Sequence, residues 1–243
     1  MFDQTLVIIP TYNEALNVHS MIERLFHLYP EISVLIIDDN SPDHTARVVD
    51  DLRPQYPHLH LLKRAGKLGL GTAYLEGFNW ALKRDFQYIA QMDCDFSHDP
   101  HNIADLIRAV TSEGHDLAIG SRYSDKEIRT KDWSWHRLVL SFSASFFLQK
   151  LSGMKVKDMQ GGFKAFKRST LEKINLDNVI SRGYVFQFEI NYKVHALKLS
   201  IVEVPIIFYQ RMLGVSKMNS GIVLEALKVF VQLRWKKFKG TLN

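Results

Sequence analysis

Short apolar runs, each closed by a polar cluster and followed by a helix-like segment, set the limits on what this chain can fold into. Thr5–Ile9 is β-branched and apolar and stops at Pro10. Val34–Ile37 carries no charge and stops at Asp38-Asp39-Asn40-Ser41-Pro42. His58–Leu62 leads into a glycine-rich turn, Tyr88–Met92 into Asp93-Cys94-Asp95, and His115–Gly120 into Ser121-Arg122. Strands that alternate with helices predict a mainly parallel, doubly wound sheet, and fully apolar strands fit a sheet covered on both faces. Ligands of such sheets bind beyond the carboxyl ends of the strands. The clusters at Pro10, Asp38-Asp39, Asp93-x-Asp95 and Ser121-Arg122 therefore converge on one sheet edge.

The intervening segments read as helices. Thr11-x-x-Glu14 has the form of a capping box opening a helix to about Tyr29, and Pro42 suits the first position of a helix to about Arg53. Further helices are expected from Gly71 to about Lys83, from about Pro100, over Trp133–Leu151 and over Gly183–Leu199. Gly161–Phe166 and Ser200–Pro205 read as added strands. Gly221–Lys239 reads as a basic amphipathic helix. The simplest division is a catalytic-sized domain over residues 1–218 and a helical tail over residues 219–243.

The chain has 243 residues, 46% hydrophobic and 23% charged, enough for a full core without long disorder. Its formal charge of +5 suits anionic ligands or an anionic membrane surface and is too small to argue nucleic acid. The lone Cys94 excludes an internal disulfide and fits a reducing compartment. The amino terminus lacks the pattern of a signal peptide and no run reaches the ~20 apolar residues of a membrane span, so a cytoplasmic protein is expected.

Asp93 and Asp95 close a strand where a turn lets both carboxylates approach one cation. Hard oxygen donors suit Mg2+ or Mn2+ bridging to a phosphorylated ligand. Asp38-Asp39 can accept hydrogen bonds from a nucleobase or ribose, or serve only the turn. Tyr12 could stack on a base. Gly66-Lys67-Leu68-Gly69-Leu70-Gly71 matches neither phosphate-loop fingerprint; its glycines serve either close helix packing or ligand contact. Arg122, Arg137, Arg211 and Lys217 are candidate phosphate clamps, the last two in the glycine-containing segment Arg211–Lys217. His98 has no zinc spacing around it.

These stretches resemble the polyprenol-phosphate mannosyltransferases of glycosyltransferase family 2. The matching segments are Pro10–Glu14, Ile37–Pro42, Gly66–Gly71, Asp93–His98, Gly120–Tyr123, Gly161–Phe163, Gly183–Glu189 and Arg211–Lys217. The resemblance implies a GT-A (Rossmann-like) fold and inverting, divalent-metal-dependent transfer from GDP-mannose to a polyprenyl phosphate. It implies that Pro10, Tyr12, Glu14, Ile37 and Asp39 hold the nucleoside. Asp93, Cys94 (by its backbone) and Asp95 would hold metal and diphosphate, and Arg122, Arg211 and Lys217 the phosphates. Arg137 and Ser141 match the acceptor-phosphate positions. Asp95, Arg122 and Arg211 would carry the catalysis. Gln160 replaces a more usual Thr or Ser before Gly161-Gly162, which leaves Asp158 outside the expected site. Some relatives continue into membrane helices at the carboxyl end. Here a membrane-anchoring partner protein or the apolar helices Trp133–Leu151 and Gly221–Lys239 must supply that contact, at the cytoplasmic face. The residues also fit a UDP-glucose-dependent polyprenyl-phosphate glucosyltransferase, a non-catalytic nucleotide-sugar-binding subunit, and a peripheral membrane scaffold.

Overall fold

The computed structural model describes residues 2–123, 130–131, 135–209 and 221–242. In chain order these form β1 (Thr5–Thr11), α1 (Ala15–Leu28), β2 (Ser33–Asp38), α2 (Thr45–Leu52), β3 (Leu59–Lys63), α3 (Leu70–Leu82), β4 (Tyr88–Gln91), α4 (Ile103–Thr111), β5 (Leu117–Ser121), β6 (Thr130–Lys131), α5 (Trp135–Ser152), β7 (Lys164–Lys167), α6 (Arg168–Lys173), α7 (Phe186–Ala196), β8 (Ile201–Pro205), β9 (Phe208–Tyr209) and α8 (Gly221–Phe238).

A seven-stranded sheet runs in the order β3-β2-β1-β4-β7-β5-β8. All its pairings are parallel except the two made by β7, which runs antiparallel between β4 and β5. The central strands β1, β2 and β5 are buried almost throughout, whereas the edge strands β3 and β8 are only partly so. Alternate residues feed two apolar layers, as a sheet covered on both faces requires. Leu6, Ile8, Leu35, Ile37 and Ile119 pack on the side of α3 and α7; Val7, Ile9, Val34, Ile36 and Ala118 pack on the side of α1 and α4.

Several helix starts differ from the sequence reading for local reasons. Pro10 does not end β1; it pairs with Ile37, and the strand runs on to Thr11. The expected capping box is absent, because the Thr11 hydroxyl donates to Asp38 Oδ1 at 3.0 Å and Glu14 Oε2 accepts from Asn17 Nδ2 at 2.8 Å. Asp43, not Pro42, organises the start of α2: its Oδ1 accepts from Thr45 N and Oγ1, and its Oδ2 from Ala15 N. The helix begins at Thr45, after left-handed His44.

The helix expected as a tail over residues 219–243 packs its inner face into the same core as α7. Phe230 meets Phe188 and Tyr192, and the buried Lys193 amine donates to Leu242 O at 2.8 Å. Among the described residues no helix is long and apolar enough to cross a membrane.

Candidate active site

The strand order places the ends of β2, β1 and β4 side by side, with β5 beyond the antiparallel β7. Each of the first three ends in a turn holding a left-handed residue: Asn13 after β1, Asn40 after β2 and Phe96 after β4. Asparagine tolerates that conformation; a phenylalanine there is strained by roughly 1–3 kcal/mol. The strained Phe96 sits between Asp95 and Ser97, where the chain doubles back. Asp95 is 4% exposed, and its Oδ1 accepts from Ser97 N at 3.0 Å. Asp93 is half-buried, and its N–H donates to His98 Nδ1 at 3.2 Å. That bond needs a neutral imidazole, and burial lowers the His98 pKa to about 4. His98 is therefore a buried prop for the acidic turn, stacked on Phe163 at 4.9 Å. Cys94 is buried in the same turn.

Two carboxylates in one bend, one of them braced by a backbone N–H, form a hard-oxygen donor pair that suits a divalent cation keeping waters or phosphate oxygens as its other ligands. No group of three or more metal-ligating side chains occurs among the described residues. The pair fits a metal shared with a ligand better than a closed structural site. Both carboxylates, after burial itself, push the phenol of buried Tyr74 well above its usual range.

At the β2 end, Asp38 serves the turn: it accepts from Thr11 Oγ1, from Ser41 N at 2.9 Å and from Ser41 Oγ at 2.6 Å. Asp39 is fixed by Arg64, whose Nη1 donates to Oδ1 at 2.6 Å while Nη2 donates to Thr72 at 2.6 Å. Burial raises the Asp39 pKa and the Arg64 charge opposes that rise. Tyr12 is half-buried, with Lys67 Nζ 4.4 Å from its ring centroid. Pro10 and Glu14 flank it, Glu14 N–H donating to Thr45 Oγ1 at 3.0 Å. Ile37 is fully buried inside the sheet. Its side chain lies in the core against Gly77, and its backbone is in the ladder between Pro10 and Leu62.

The glycine-rich turn resolves toward packing. A Cβ on Gly69 would lie 2.5 Å from Arg182 O, and one on Gly71 2.8 Å from both Phe186 Cβ and Ser181 O. Both let α3 approach the segment before α7, and Gly71 N donates to Arg182 O at 2.8 Å.

Arg122 is buried and paired. Its Nε and Nη2 donate to the two oxygens of Asp158 at 2.7 and 2.6 Å, and its backbone N–H donates to Oδ2 at 3.0 Å. Burial alone would raise the carboxyl pKa and lower the guanidinium pKa; the pairing reverses both. Glu203 braces the partner by accepting from Lys157 N and Asp158 N. Asp158, which the sequence reading left out, and Arg64, which it did not single out, are the partners that the structure gives to two of its candidates, Arg122 and Asp39. The signals were present: Asp158 is the only acid between residues 153 and 163, and Arg64 follows a strand end as the other polar clusters do.

Phe208 bridges to His98, and Tyr209 N donates to Ser97 O at 3.1 Å, so the chain leaves residue 209 from beside the acidic turn. Arg211 and Lys217 lie outside the described residues. Arg137 and Ser141 lie on α5, in a stretch whose side chains are likewise outside the description.

A family model described as glycosyl transferase family 2 matches residues 6–175, which span every strand end just described except β9. The chain belongs to that family. Membership makes it a glycosyltransferase, and its mostly parallel seven-stranded sheet flanked by helices is of the GT-A type. It is 43% identical over 225 residues to a polyprenol monophosphomannose synthase of Mycolicibacterium smegmatis, covering 92% of this chain and 84% of the relative. It is 39% identical over 244 residues to an undecaprenyl-phosphate mannosyltransferase of Micrococcus luteus, covering 99% of each. A Pyrobaculum calidifontis mannosyltransferase solved with GDP-Man and Mn2+ shares the fold at a TM-score of 0.59 and 17% identity, over 96% of this chain and 62% of that one.

Proposed function

We propose that this glycosyltransferase moves mannose from GDP-mannose to a polyprenyl phosphate, with inversion at the sugar carbon. The observation that carries the reading is end-to-end identity of 39% to a relative named for mannosyl transfer to undecaprenyl phosphate. The shared edge of the sheet supports it, since carboxylates and guanidiniums far apart in sequence gather there.

In this reading Tyr12, Pro10, Glu14 and the Arg64-oriented Asp39 receive the nucleoside. Asp93 and Asp95 would hold Mg2+ or Mn2+, with the backbone of Cys94 toward the diphosphate; the cation would supply positive charge for the departing phosphate. Arg122, set by Asp158, and Arg211 and Lys217 face phosphates, and Arg137 with Ser141 receives the acceptor phosphate. A phosphate monoester has a second pKa near ~6 and reaches neutral pH largely dianionic. It attacks without a strong general base, so the protein's work is to bring two anions together and stabilise charge on the departing phosphate. That chemistry agrees with a reading built on cations; among the described residues His98 is a buried prop and is not placed as a base.

A lipid acceptor calls for membrane contact at the cytoplasmic face. On α8, Val231, Trp235 and Phe238 are exposed by 64%, 60% and 86%. Their i, i+4, i+7 spacing makes one outward stripe, and the segment from Lys228 to Lys239 carries five basic residues and no acid. Basic residues around Trp and Phe suit a headgroup layer. A membrane-anchoring partner could reinforce it.

The deciding experiment offers radiolabelled GDP-mannose and UDP-glucose in parallel, with a polyprenyl phosphate and Mn2+ or Mg2+. Label from GDP-mannose in the lipid fraction is expected. Label from UDP-glucose alone would replace mannose by glucose, and donor binding without turnover would make the chain a non-catalytic subunit.

A further inference from the structure

A short stretch of chain joins two parts of the site that the sheet keeps apart. The acidic turn follows β4 and Arg122 follows β5, and antiparallel β7 lies between those strands. Two strand spacings of roughly 4.8 Å put the strand ends about 10 Å from each other. Residues 206–209 cross that gap. Ile206 N donates to Ser121 O at 3.1 Å on the β5 side, and Tyr209 N donates to Ser97 O at 3.1 Å on the β4 side. Ile206 is buried against Gly120, where a Cβ would lie 3.1 Å from Ile206 Cδ1. β6 pairs with the same stretch, Thr130 with Phe208 and Lys131 with Tyr209. Ile207 is exposed, and the period-two alternation of extended chain turns Phe208 the other way, toward the site.

The Phe208 ring meets both sides of the gap. Its centroid lies 5.3 Å from that of the His98 imidazole, with the two planes at 76°. Arg122 Cζ lies 5.4 Å from the same Phe208 centroid. Both distances are those at which a ring edge or a cation is attracted to an aromatic ring. His98 in turn stacks on Phe163 and accepts from the Asp93 N–H. A continuous row, Phe163–His98–Phe208–Arg122, therefore runs from the prop of the acidic turn to the guanidinium. Asp158 and the Tyr123 ring, 5.3 Å from Arg122 Cζ, also hold the guanidinium. What Phe208 adds is a fixed relation between that guanidinium and the turn. We infer that Phe208 is a positioning residue that sets the spacing between Arg122 and the acidic turn, so that a cation on the turn and the guanidinium engage one diphosphate together. A leucine there would keep the backbone bonds of residues 206–209 and offer a cation no ring face.

This inference rests on the proposed function, in which Arg122 and the cation of the acidic turn share the donor's diphosphate, and its test separates the two. The full chain is titrated with GDP by calorimetry, with and without saturating Mn2+. Two groups that engage one diphosphate together make Mn2+ strengthen GDP binding, and the factor of strengthening reports their spacing. In Phe208→Leu that factor should fall about tenfold, the combined worth of a ring pair and a cation–ring contact, while GDP affinity without Mn2+ stays within about twofold because Asp158 still holds Arg122. Phe208→Tyr, which keeps the ring, should bring the factor back to within about twofold of the wild type. The factor is a ratio taken on the folded molecules, so protein lost to unfolding leaves it unchanged. Should Phe208→Leu not fold at all, Phe208→Met removes the ring with a more adaptable side chain. An unchanged factor in the variants without the ring, with GDP weakened equally in both conditions or not at all, would overturn the assignment. So would a Phe208→Tyr no better than Phe208→Leu. A wild type in which Mn2+ leaves GDP binding unaltered would instead strike the shared diphosphate from the proposed function, and this inference with it.

Discussion

The two halves of the sheet hold their site residues by different means. At the β1–β2 end, beside the one buried pair of Arg64 with Asp39, the anchors are hydrogen bonds across neighbouring strand ends: Thr11 and Ser41 fix Asp38, and Asp43 joins the starts of α1 and α2. Around β7 and β5 the anchors are buried ionisable groups and their partners, brought together from distant segments: Arg122 with Asp158, and Lys164 with Gln187, which Gln91 also holds. The first arrangement is redundant, so that removing one donor leaves others. The second concentrates the geometry in single pairs, each costly to break. The acidic turn lies on the seam, with its backbone propped by His98 and its neighbour Gly162 held by Gln91.

The largest effect should come from that seam. Asp95→Ala removes the braced carboxylate, and transfer should fall by about a thousandfold or more, as when a principal charge stabiliser is lost. Near-normal turnover of the purified variant would separate the turn from the chemistry. The next effect compares the halves directly. Asp158→Ala leaves the buried Arg122 charge uncompensated and should cost about 3–5 kcal/mol in urea unfolding, with activity lost alongside. Ser41→Ala removes one of several bonds to Asp38 and should cost about 1 kcal/mol. Equal costs for the two would erase the distinction between redundant and concentrated anchoring.

The same distinction decides what was legible in the sequence. The parallel strands, their helices and the polar edge follow from apolar runs and breakers that are local patterns. So do Asp93-x-Asp95 and the strand-end positions of Tyr12, Asp39 and Arg122. What was hidden lies in long-range pairing. Asp158 is 36 residues from Arg122, and nothing near it in sequence says which cation it meets. Gln187 and Gln91 are 96 residues apart. The antiparallel course of β7 depends on how the chain returns through α5, which periodicity does not specify. Local misreadings came from side chains with two uses: Thr11 and Glu14 had the form of a helix cap but bond to Asp38 and Asn17. Ile37 matched a binding motif, yet strand alternation already pointed its side chain into the core.

A smaller effect tests the contact between the halves. Gly71→Ala drives a methyl against Phe186 and the Ser181 carbonyl, 2.8 Å away, and should cost about 1–3 kcal/mol as α3 is pushed from the segment before α7. Gly66→Ala meets nothing within 4 Å at ordinary backbone angles and should stay within about 0.5 kcal/mol of the wild type. Reversed costs would mean that the glycine-rich turn serves ligand contact, with the packing incidental.

The finest test reads the concentrated half through its pH dependence. Burial pushes the Lys164 amine well below the usual lysine range. At neutral pH the unfolded chain therefore carries a proton on this lysine that the folded chain binds less readily. Bound protons favour the state that holds more of them, so stability attributable to Lys164 rises as pH increases toward the unfolded lysine value of about 10.4. Lys164→Met has no such proton. The stability difference, wild type minus variant, should climb between pH 7 and pH 10 by at most ~1.4 kcal/mol per unit. Ser41→Ala, which changes no titrating group, should show a flat difference over the same range. A flat line for Lys164→Met as well would mean that the amine keeps its charge in the folded state, held by the Gln187 carbonyl and amide oxygens.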